Sequence, residues 1–169
     1  MRNLSKITVV LLCILAFSLE ISAQKRKQNR QPKLTAQAQI TGSAEKISIQ
    51  IVNLTRFLYI LGGVAKGIEE IDEQAKQKKI SQALIDKNFE FKRKTIQSIK
   101  DIVASLAALE VEFRTKAELK NYQSKIAGIT DIAVAAEEQA SNGNFTESGK
   151  TLLLVVEKLT ATLVSMTSK

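Results

Sequence analysis

From Ser43 onward the apolar residues recur every three or four positions, the period of one face of an α-helix. The first stripe runs Ile47, Ile51, Leu54, Leu58, Leu61, Ala65, Ile68, Ile71 and Ala75. Ile47, Ile49 and Ile51 also alternate as a strand would, but that alternation ends after three members while the helical spacing continues for 28 residues. Helix is therefore the prediction. A second stripe runs Ile85, Phe89, Ile96, Ile99, Val103, Leu106 and Phe113, with gaps at Lys92 and Glu110, and Asp86 or Asn88 can cap its start. A third runs Leu119, Tyr122, Ile126, Ile129, Ala133, Ala136 and Ala140. Thr115 and Glu118 stand at capping-box spacing before it, and Ser141-Asn142-Gly143 supplies a glycine stop after it. The fourth, Phe145, Gly149, Leu152, Val156, Leu159, Leu163 and Met166, starts beside Asn144 and Glu147, again at capping-box spacing. Four stripes with short connections predict an all-α domain over 43–169, an antiparallel up-down four-helix bundle.

Two features disturb that regularity. The first segment, 44–79, would reach roughly 54 Å as one helix, more than partners of about 24 to 28 residues can cover. Gly62, Gly63 and Gly67 sit in its middle, and two adjacent glycines cost roughly 2 kcal/mol against alanine in a helix interior. They form a candidate hinge, and the first helix is expected to be kinked or broken at Gly62-Gly63, or packed closely on the alanine-rich third helix. The second feature is Leu152 to Val156, five consecutive apolar residues that point around the whole circumference of a helix. With Val52 and Tyr59, which lie off the first stripe, Leu153, Leu154 and Val155 form a candidate interaction surface for a protein partner or a second copy. Burial in an irregular bundle is the alternative.

The pattern ahead of Ser43 differs. Arg2 and Lys6 precede an apolar run from Ile7 to Leu19, followed by Ile21-Ser22-Ala23. That run is 13 residues, where a bilayer-crossing helix needs about 20, so 1–23 reads as a secretory signal peptide and the protein as exported, periplasmic or extracellular, from a bacterium. Retention of the segment as an anchor is the lesser alternative. Residues 24–42 carry Lys25, Arg26, Lys27, Arg30 and Lys33 without an acid, which predicts a disordered basic linker. The net charge of +8 belongs mostly to this end, since 43–169 holds 18 Lys and Arg against 16 Asp and Glu. No aromatic residue interleaves the tail cations, so nucleic acid is not expected as a partner. An anionic lipid or wall polymer is the surface such a tail would favour.

Candidate chemistry is sparse. The chain has no His, and its one Cys, Cys13, lies in the expected signal. Glu69, Glu70, Asp72 and Glu73 cluster on the first helix and Glu137 and Glu138 on the third, but di-iron bundles add a Glu-x-x-His pair, and heme attachment needs His as well. No metal or cofactor is expected. Gly62-Gly63 and Gly67 lack the Gly-Lys-Ser/Thr ending of a phosphate loop, and no motif groups the hydroxyls, lysines and carboxylates for catalysis. The expected function is an exported, non-catalytic binding module whose partner is another protein or a second copy of itself. The alternatives are a protein held to an anionic surface by its basic tail, and a small-ligand carrier with a cavity between helices near Gly62-Gly63 and Ala133, Ala136 and Ala140.

Overall fold

The apolar periodicity is realised as helix throughout the computed structural model, which describes residues 31–168. Among these residues there are five α-helices and no strand: α1 (Gln31–Lys76), α2 (Gln82–Thr115), α3 (Gln123–Ile126), α4 (Ile129–Ser141) and α5 (Phe145–Thr167). A 3₁₀ segment, Ala117–Tyr122, precedes α3. The protein is all-α. The expected signal peptide, 1–23, and the tail cations Lys25, Arg26, Lys27 and Arg30 lie outside the described residues. Lys33 falls within α1, because that helix begins at Gln31. Residues 31–42, expected to belong to a disordered linker, are thus helical.

Residues 40–169 form one compact unit. Within it, Ile47, Leu54, Leu61, Ala65 and Ile68 of α1 are buried. No break occurs at Gly62-Gly63, since α1 is helical through both. Among the described residues none of these glycines serves close packing within the chain, because a Cβ built on Gly62, Gly63 or Gly67 meets nothing within 4 Å. The close approach falls instead at Gly149, whose Cβ would lie 3.4 Å from the Leu61 side chain.

Polar contacts fix how neighbouring helices run. Ser43 and Lys46, early in α1, meet Glu112 late in α2, while Asp72, late in α1, meets Asn88 and Lys92 early in α2. α1 and α2 are therefore antiparallel. Glu69 of α1 reaches Thr146 at the start of α5, and Gln139 of α4 accepts from Thr151 of α5. Glu110 of α2 reaches Thr130 at the start of α4.

Three details differ from expectation. α2 starts at Gln82, where the Ser81 hydroxyl accepts from the Leu84 amide, so neither Asp86 nor Asn88 is its cap. Asn88 is instead buried inside the helix and donates to the Ile68 carbonyl. The third stripe, although all seven of its members are buried, is not one helix. Gly128 adopts φ +83, a left-handed conformation that costs glycine little, and it separates α3 from α4. Thr115 makes no capping bond, its hydroxyl donating backward to the Val111 carbonyl. The third correction concerns α5, whose buried seam is Phe145, Ser148, Leu152, Val155, Leu159, Thr162 and Met166. Gly149, Val156 and Leu163 flank that seam and are only half-buried. Thr162 can occupy the seam because its hydroxyl is satisfied within the helix by the Lys158 carbonyl.

Candidate interaction surface

An outward apolar strip on α1 follows from two overlapping periods in its sequence. One period, through Ile47, Leu54 and Leu61, packs inward against the other helices. The other, through Ile49, Val52, Tyr59, Ile60 and Val64, is exposed, with Tyr59 85% and Ile60 64% accessible. From Ile47 to Val64 the only charged residue is Arg56. By length and composition this helix could cross a membrane, yet its most apolar 18-residue stretch is only 17% buried. Such burial is low for a core helix, and contiguous exposed apolar area of this kind marks an interaction surface more often than an ordinary surface.

α5 adds a smaller apolar ledge. Leu153 and Leu154 are each about half exposed, whereas Val155 is fully buried. Val155 therefore belongs to the core and not to the expected interaction surface, while Val52, Tyr59, Leu153 and Leu154 are accessible. A shallow groove of about 340 Å³ runs between α1 and α5, bounded by Leu58, Gly62, Phe145, Gly149 and Leu153. Ala133, Ala136 and Ala140 are buried and do not line it.

The carboxylates have structural duties that the sequence pattern did not reveal. Glu110 accepts from the Gly128 amide at 2.7 Å, the Thr130 amide at 3.1 Å and the Thr130 hydroxyl at 2.6 Å, capping α4 from another helix. Burial pushes the Glu110 carboxyl up, but these donors together with Arg114 hold it below the usual range. Glu112 receives Ser43 at 2.8 Å, Lys46 at 2.6 Å and Lys116 at 2.7 Å. Its burial also raises the carboxyl, and the hydrogen bonds from Lys116, Lys46 and Ser43 outweigh that and bring it to about 2. Glu69 caps α5 through the Thr146 amide and hydroxyl, so the Asn144 side chain is not the cap. Asp72 takes Lys92 and Asn88. Glu73 pairs with Lys76, Glu70 with Lys66 and Glu137 with Lys100. Among the described residues no group of three or more metal-ligating side chains is assembled.

Below the α1–α2 turn lies a larger open cleft of about 810 Å³, bounded by Asp72, Phe89, Arg93, Ile96 and the α4–α5 turn. Phe89, expected in the core, is 60% exposed there. α5 begins level with Glu69, so among the described residues no helix covers this part of α2. The chain matches no family model, no curated protein and no solved structure.

Proposed function

We propose that this chain is an exported, non-catalytic binding module, built as an up-down four-helix bundle and working through the apolar outer strip of α1. The observation that carries the reading is the exposure of Ile49, Val52, Tyr59, Ile60 and Val64 on a stretch with one charge. Polar contacts at both ends of α1, through Lys46 and Asp72, favour a helix held against α2 over one immersed in lipid. Labelling in the host tests the reading. A thiol introduced by Tyr59→Cys should be shielded from a maleimide in intact host cells and react after purification and dilution, while Lys120→Cys reacts in both settings. Equal labelling of both positions in the host would leave the strip without an occupant and end the proposal.

A second reading, attachment to an anionic surface, is supported by charge placement within the helical unit. Residues 76–94 hold seven Lys and Arg against two acids, whereas 43–169 as a whole is only +2. Lys78, Lys79, Lys87 and Lys94 form no ion pair among the described residues. Binding of this kind to anionic vesicles should collapse at high ionic strength. Association through the α1 strip should persist.

A further inference from the structure

We infer that the occupant of the α1 strip is a second copy of this chain, with the two α1 helices antiparallel and crossing at Gly63; this rests on the strip being the binding surface proposed above.

The first observation is an unexplained absence of side chains. Gly63 and Gly67 lie four apart on the exposed side of α1, where a Cβ would meet nothing within 4 Å. Glycine at such a position costs about 1 kcal/mol against alanine, and none of the described residues uses the space. A notch of this kind lets another backbone come close. Tyr59, 85% exposed, stands four residues before Gly63, and Gly67 stands four after it. A two-fold axis through Gly63 therefore lays the Tyr59 ring of each copy over the bare Gly67 of the other.

The second observation is charge. Arg56, the lone charge between Ile47 and Val64, makes no ion pair among the described residues. It is seven residues before Gly63, and Glu70 is seven after it, so each lies roughly 10 Å along the axis from the crossing, in opposite directions. The same two-fold that seats Tyr59 on Gly67 brings Arg56 of each copy to Glu70 of the other. Among the described residues Glu70 has only an exposed contact to Lys66 at 3.8 Å, a weak competitor. A parallel pair would set Arg56 against Arg56. One symmetry operation thus satisfies the ring, the notch and both charges, as expected for the isologous contact of a two-fold dimer.

Charge exchange tests the register. Arg56→Glu and Glu70→Arg should each raise the dimer dissociation constant about tenfold or more in sedimentation equilibrium, and the double exchange should return it to within roughly threefold. In the full chain carrying Cys13→Ser, Gly63→Cys should form an inter-chain disulfide. Tyr59→Cys should cross-link when mixed with Gly67→Cys and not with itself. Cross-linking of Tyr59→Cys with itself would replace the antiparallel register by a parallel one and overturn the inference. A chain that remains monomeric at high micromolar concentration overturns it too. If Tyr59→Cys is then still shielded in the host, the strip serves a different partner and only the identity of the occupant has failed.

Discussion

The two ends of α2 carry similar apolar spacing and meet opposite fates. At its C-terminal end Leu106 and Phe113 are fully buried, and the chain that follows adds Leu119, Ile126 and Ile129 to the same core. At its N-terminal end Phe89 is 60% and Phe91 51% exposed, and the buried position is the polar Asn88. The cause is coverage. Among the described residues α5 starts level with Glu69, and beyond that point the α1–α2 hairpin borders an open cleft. Periodicity tells which residues share a face, and burial requires a second element to occupy that face.

The largest effect should come from testing that difference directly. Phe113→Ala should cost about 3 to 5 kcal/mol, as for large-to-small changes in a closed core, whereas Phe89→Ala should stay within about 0.5 kcal/mol. Urea unfolding at neutral pH measures both. Comparable losses would mean that the open end is closed in solution.

Electrostatics sharpens the same contrast. Glu112 is only 14% exposed and titrates near 2, against an ordinary 4.5. A carboxyl lowered on folding contributes its stability above the unfolded value and loses it as pH falls toward the folded one. Between pH 4.5 and 2 the chain should lose on the order of 3 kcal/mol from this group, and Glu112→Gln should flatten that part of the pH profile. An unchanged acid limb in the variant would show that Ser43, Lys46 and Lys116 do not hold the carboxylate. At neutral pH the variant should already be weaker.

A smaller difference separates the two capping glutamates. Glu110→Ala removes the acceptor for the Gly128 and Thr130 amides in a half-buried setting and should cost about 2 kcal/mol. Glu69→Ala acts on the exposed start of α5 and should cost under about 1 kcal/mol. Hydrogen exchange at Thr130 and Thr146 reads each end separately, and the reverse order would contradict the burial argument.

Much of the core was legible in residue spacing, including all seven members of the third stripe and five of the first. The two polar interruptions of the second stripe prove informative in retrospect, since Lys92 ion-pairs with Asp72 and Glu110 caps α4. A charged residue at an otherwise apolar register position was a signal for a tertiary contact. Its partner was not legible, because capping across helices depends on which helix start lies nearby and not on local spacing. For the same reason the capping-box matches at Thr115 and Asn144 misled, as Thr115 bonds its own helix and Glu69 takes the place of Asn144. The break at Gly128 was hidden because the apolar spacing continues across it. The choice of Val155 over Val156 in α5 turned on a one-residue rotation that bulk hydrophobicity does not resolve.

The smallest prediction compares one substitution at two glycines. Gly128 holds φ +83 between α3 and α4, so Gly128→Ala should destabilise by about 1 kcal/mol or more even though a Cβ there meets nothing within 4 Å. Gly62 has the same empty surroundings but lies in continuous α1 helix, where alanine is favoured by up to about 1 kcal/mol. Gly62→Ala should therefore raise the urea midpoint and Gly128→Ala should lower it. Space is equal at the two sites, so the difference in sign isolates backbone conformation. A loss at Gly62 would instead mean that α1 departs from regular helix there, and would restore the hinge that its continuous hydrogen bonding argues against.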